Sequence, residues 1–181
     1  MKKLALALVI VFALSSVSFG ALRAGKFGIE FENLLVADPL DYNNGWYTAM
    51  PALFYQFTED FSGAIGLLYG NDPDPSGYTD SSTMVKLKGT WNLGSGKTVP
   101  HLAAELGLES FTDGSDSDYS YTWLQVALIY GVEALVLPGL SITLDARVLD
   151  YANQDENGVG DSEIAILSGA TLGIRWYLAG I

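Results

Sequence analysis

From Leu140 to Val148 the chain alternates without a break. Leu140, Ile142, Leu144, Ala146 and Val148 share one parity; Ser141, Thr143, Asp145 and Arg147 share the other. Successive side chains of a β-strand point to opposite faces, so this stretch reads as a strand with one apolar and one polar face. The same period recurs elsewhere. Phe27, Ile29 and Phe31 oppose Lys26, Glu30 and Glu32; Val85, Leu87, Trp91 and Leu93 oppose Lys86, Lys88, Thr90 and Asn92. Leu102, Ala104, Leu106 and Leu108 oppose His101, Glu105 and Glu109. Near the end, Ile164, Ile166, Leu172, Ile174, Trp176 and Leu178 oppose Glu163, Thr171, Arg175 and Tyr177. The pattern predicts eight strands: Gly25–Ala37, Trp46–Phe57, Phe61–Gly70, Thr83–Leu93, Thr98–Phe111, Tyr119–Leu135, Leu140–Tyr151 and Ser162–Leu178. The second, third and sixth keep the period but carry apolar residues on both faces. Pro51, in the middle of the second, has no N–H to give to a ladder and predicts a local bulge.

The connections alternate in length. "DPLDYNNG", "NDPDPSGYTDSS", "TDGSDSD" and "ANQDENGVGD" are long; "TED", "GSGK" and "LPG" are short. Long connections at one end and tight turns at the other predict an all-β fold, an eight-stranded antiparallel up-and-down transmembrane barrel.

Alternation alone does not say which face points inward. Three features turn the apolar face outward, toward lipid. The polar parity pairs opposite charges, with Glu30, Glu32, Glu105, Glu109 and Asp145 against Lys26, Lys86, Lys88, Arg147 and Arg175, a set that can fill a narrow eight-stranded interior. Aromatics sit near strand ends on the apolar parity, at Tyr47, Tyr55, Phe57, Phe61, Tyr69, Trp91, Tyr130 and Trp176, as in interfacial girdles. The polar parity is rich in small residues, at Gly28, Ala64, Gly66, Ala103, Gly107, Gly169 and Gly173. A water-soluble barrel would instead be dense in Lys and Glu outside. Leu140 to Val148 are therefore expected to face lipid.

The first residues, "MKKLALALVIVFALSSVSFGA", pair Lys2 and Lys3 with the apolar run Leu4–Leu14, which is too short to span a bilayer. Ser18 and Gly20 are small residues before Ala21. Residues 1–20 are read as a secretory signal peptide and 21–181 as one barrel domain. The chain has no cysteine, which excludes disulfides, thiolate metal sites and a lipoprotein anchor. Its 181 residues carry 9 Lys+Arg against 21 Asp+Glu. Removing Lys2 and Lys3 leaves a net charge of −14, which argues against nucleic acid as a partner.

"YGVEALVLPGLSITLDARVLDY" resembles the penultimate hairpin of the small outer-membrane β-barrel domain family, the OmpA-like and OmpX-like proteins. The matching residues are Gly131, Val132, Glu133, Pro138, Leu140, Ser141, Arg147, Asp150 and Tyr151, and "ATLGIRWYL" resembles the family's last strand. The resemblance covers roughly 35 residues locally and, through the strand layout, the rest of residues 21–181. It implies a barrel in the bacterial outer membrane, with the lipid bilayer and lipopolysaccharide around it and the barrel-assembly machinery as partner during biogenesis. Family chains end on an aromatic residue; this one departs from that, continuing past Trp176 and Tyr177 to Ile181. Family roles range from tethering and adhesion to lipid modification, so no activity follows.

Little in the sequence carries chemistry. His101 is the only histidine. Lipid A deacylases of related barrels use a lipid-facing His with a Ser two positions on. Here that position is Ala103 and His101 lies on the polar parity, so it is read as a lumen or turn-proximal histidine. The acidic connections are read as a solvated surface, or alternatively as a divalent-cation surface bridging to lipopolysaccharide phosphates. Asn153, Asp155, Asn157 and Asp161 are a partial match to a calcium loop, in which Ile164 occupies the place of the bidentate acid. The expectation is a monomeric, non-catalytic barrel without cofactor, in a structural or surface-interaction role. The alternatives are a narrow porin-like channel, an outer-membrane lipid-modifying enzyme and a soluble periplasmic ligand-binding barrel.

Overall fold

The structure, a computed structural model, describes residues 26–37, 50–73, 79–114, 120–156 and 159–178. The signal peptide expected over residues 1–20, Tyr47, Asn157 and the last three residues lie outside these. Every regular element among the described residues is a strand: β1 (Lys26–Ala37), β2 (Met50–Gln56), β3 (Phe61–Pro73), β4 (Thr79–Asn92), β5 (Thr98–Thr112), β6 (Ser120–Leu137), β7 (Leu140–Glu156) and β8 (Val159–Leu178). Each pairs antiparallel with the next and β8 pairs with β1, so the sheet closes into a barrel and leaves no edge.

All eight strands were expected from the sequence, but β3, β4, β7 and β8 run further on the long side than their pattern predicts. β3 and β4 pair out to Pro73–Thr79, and β7 and β8 out to Glu156–Val159. Most of "NDPDPSGYTDSS" and "ANQDENGVGD" is therefore ladder rather than loop. β8 alone has 20 residues. A tilted strand crosses a bilayer in about 9–11 residues, so the pairing runs well beyond the membrane on this side. The short side is tight. Phe57 and Thr58 N–H groups both donate to Phe61 O, at 2.9 and 3.2 Å. Gly139 takes φ +82° in the β6–β7 turn, a conformation that costs glycine nothing.

Two expectations about register change. Pro51 causes no bulge: it is the second residue of β2, stands opposite Phe31 in unbroken register, and precedes the first rung with β3 at Ala52. The bulges lie elsewhere. In β7, Val148 is an extra residue between Arg147 and Leu149 against β6, and against β8 it faces two residues. In β8, Leu167 and Ser168 are extra on the facing side, and Leu167 adopts φ +55°. The Val148 bulge ends the simple alternation of β7. Leu140 to Ala146 face outward on even positions, but beyond it Leu149 is outward and Asp150 is buried.

Candidate functional site

The interior is built from the polar parity. Register sets it: Glu30 stands opposite Arg175, Lys88 opposite Glu105, and Gly131 opposite His101 and Asp145. The small residues of that parity, Gly28, Gly66, Ala103, Gly107, Gly169 and Gly173, all point inward and give the long charged chains room.

Two linked groups of charges result. In the first, Glu32 receives both Lys86 and Lys88, and Lys88 also reaches Asp145 Oδ2 at 3.0 Å. Asp145 Oδ1 lies 2.9 Å from His101 Nε2. Lys86 approaches Glu105 at 3.6 Å; Glu105 pairs with Arg147, and Arg147 Nη1 donates to Asp150 Oδ2 at 3.3 Å. Gln125 Nε2 and Ser168 Oγ also donate to Asp150 Oδ2, at 2.9 and 3.2 Å. In the second group Arg175 donates from Nε to Glu30 Oε2 at 2.6 Å and from Nη1 to Glu133 Oε2 at 2.8 Å. Ser141 and Tyr177 hydroxyls each donate to Glu133 Oε1 at 2.5 Å. The Arg175 guanidinium carbon sits 5.2 Å from the Phe54 ring centroid. Charges this deep persist because each is paired and hydrogen-bonded.

An apolar cluster flanks this layer on either side. Toward the short turns, Phe54, Val99 and Tyr177 pack together, with Phe54 and Tyr177 edge to face at 4.9 Å. Toward the long side, Met50 and Met84 pack with Leu68 and Trp123.

Of the predicted lumen set, Glu30, Glu32, Lys86, Lys88, Glu105, Asp145, Arg147 and Arg175 join the network. Glu109 is buried in the lumen outside it, and Lys26 is half-buried at the mouth on the short-turn side. Sequence reasoning missed Glu133 and Asp150. Glu133 lies on β6, whose inward positions also include apolar Ala127 and Ile129; Asp150 lies beyond the Val148 bulge. Of the partial calcium-loop match, Asn153, Asp155 and Asp161 lie on the β7–β8 hairpin: Gln154 pairs with Asp161 and Asp155 with Gly160, and Asn153 donates to the Asp161 carbonyl at 3.3 Å. No group of three or more His, Asp or Glu converges on a metal position among the described residues.

The outer wall is the inverse of the lumen. Leu53, Ile65, Leu67, Leu87, Leu106, Leu128, Ile142 and Ile166 are exposed, Ile166 to 74%. Each of the eight strands contributes such residues. Continuous apolar surface of this extent has no place in water. At the short-turn end Tyr55, Phe57, Phe61 and Trp91 form a chain of ring contacts with centroids 4.9–5.7 Å apart, and Trp176 is exposed on the same face. At the other end Tyr69 is exposed on the wall, while Phe111 stacks on Tyr121 at 4.9 Å on the lumen-facing parity of β5 and β6. The short-turn chain is a girdle of the kind expected where a wall meets a membrane interface.

A closed barrel with a paired charged interior, an apolar wall and an aromatic girdle is a transmembrane β-barrel, and at eight strands it has the architecture of the small bacterial outer-membrane proteins. No protein-family model matches the chain, and no curated protein matches it. Among solved structures it is similar to the solution structure of outer membrane protein W of E. coli, with 14% identity over 86% of this chain and 99% of that one and a TM-score of 0.47. It is also similar to the crystal structure of a major outer membrane protein from Thermus thermophilus, with 13% identity over 84% of this chain and 98% of that one and a TM-score of 0.41. Likeness this distant transfers nothing further, and the class rests on the chain's own faces.

Proposed function

We propose that the protein is a non-catalytic, non-conducting barrel of the outer membrane that serves as a rigid scaffold for its acidic long-side hairpins. Its surroundings are the bilayer and lipopolysaccharide, it acts as a single chain, and the assembly machinery inserts it. The observation that supports this most is the lumen, whose paired charge layer is flanked by an apolar cluster on either side. His101 supports the non-catalytic part. It is fully buried inside, bonded to Asp145, and on the opposite face from the lipid a hydrolase would have to reach.

The test is conductance of the purified full chain in planar bilayers, alongside phospholipid and lipid A hydrolysis. The expected results are no discrete current steps and no hydrolysis. Steps that persist after repurification would establish a channel, and hydrolysis lost in His101→Ala would establish an enzyme.

A further inference from the structure

The lumen is not electrically balanced. Its buried side chains include seven carboxylates, Glu30, Glu32, Glu105, Glu109, Glu133, Asp145 and Asp150, against Lys86, Lys88, Arg147 and Arg175. This leaves a formal excess of three negative charges among the described buried residues, with half-buried Lys26 away at the short-turn mouth. In an interior of low dielectric, uncompensated charges are costly.

The surplus gathers on the long side. Glu109 is 8% exposed and makes no ion pair or hydrogen bond with any described residue, although it projects into the lumen from β5. It stands opposite Trp123, and the next inward pair is Gly107 with Gln125. Gly107 has no side chain to fill the space. Gln125 is bonded through its nitrogen to Asp150, while Gln125 Oε1 and Asp150 Oδ1 are buried acceptors with no donor. Ser168 Oγ adds another oxygen at the Asp150 carboxylate. The bulges at Val148 and at Leu167–Ser168 are what turn Asp150 and Ser168 inward. Two carboxylates, an amide oxygen and a hydroxyl are the ligand types of a hard divalent cation.

We infer that Glu109, Gln125, Asp150 and Ser168 form a lumenal site for one divalent cation of the calcium class. The ion binds the orphaned oxygens and offsets two of the three excess negative charges.

The probe is terbium(III), a luminescent stand-in for calcium, titrated into the full chain folded in detergent micelles. Trp123 borders the site and sensitises an ion held there. The expected result is saturable sensitised emission displaced by calcium, lost in Trp123→Phe, and shifted to roughly tenfold weaker binding or more in Glu109→Gln, which removes one charged ligand. Gln125→Leu, which removes the amide oxygen, provides a second variant with the same expected weakening. Emission unchanged in Trp123→Phe and Glu109→Gln would place the ion on the outer acidic hairpins and overturn the inference. Absence of calcium-displaceable emission in the parent would overturn it as well, leaving Glu109 neutralised by a proton.

Discussion

Arg175→Met tests the buried charge network at the point where one side chain serves two partners. Arg175 is 2% exposed and is shared by Glu30 and Glu133, at 2.6 and 2.8 Å. Removing it leaves two carboxylates in the lumen, one of which keeps only the Ser141 and Tyr177 hydroxyls. Breaking a buried pair from one side costs about 3–5 kcal/mol, because the partner's desolvation is no longer compensated. The contact with Phe54 is lost too, but a methionine chain replaces part of it. The companion variant is Arg175→Met with Glu30→Gln and Glu133→Gln. There the amides carry no charge and still accept from the hydroxyls, so stability returns to within about 1 kcal/mol of the parent. The assay is urea unfolding of the micelle-folded barrel, followed by the mobility difference between unboiled and boiled samples. A parent-like midpoint in Arg175→Met would refute the reasoning. So would a triple variant no more stable than the single one, because the loss would then come from packing and not from stranded charge.

Two further substitutions probe other parts of the account. Leu106→Arg, in the outward mid-wall of β5, is expected to destabilise the bilayer-folded barrel by about 2–4 kcal/mol, and Ser110→Arg, nearer the long-side end of the same face, by about 1 kcal/mol or less; equal costs would contradict a depth-dependent lipid face. Gly131→Ala places a Cβ against Asp145 Oδ1 and 2.6 Å from His101 Nε2, so it should cost about 1–3 kcal/mol in the same urea assay, and Gly94→Ala, with open space around it, should cost far less.

The strands and their faces were legible because a transmembrane barrel imposes one period on every strand. Glu30, Lys86, Glu105 and Arg175 could be assigned to the interior from parity alone, and the structure pairs them as opposite charges. What stayed hidden has two physical causes. A bulge shifts parity by one residue, and nothing in "ARVLDY" marks Val148 as the extra residue, so Asp150 counted as an outward position. The interior also needs packing as well as charge. Phe54, Met84, Val99, Ala127 and Ile129 fill it, which blurs the alternation of β2 and β6 and concealed Glu133 among apolar neighbours. The long hairpins were missed because Asp, Asn and Gly discourage strand assignment, whereas pairing continues through Asp72–Asp80 and Asp155–Gly160.

The central claim is that the apolar parity faces lipid. Because the chain has no native cysteine, single spin labels can be placed cleanly. The measurement is oxygen against water-soluble quencher accessibility for labels at Leu102, Leu106 and Ser110, all on the outward face of β5, in the full chain reconstituted into phospholipid vesicles. The account predicts that oxygen dominates at Leu106 and that the soluble quencher gains toward Ser110. A soluble quencher that reaches Leu106 as readily as Ser110 would mean that this wall meets water, and the lipid-facing barrel would be wrong.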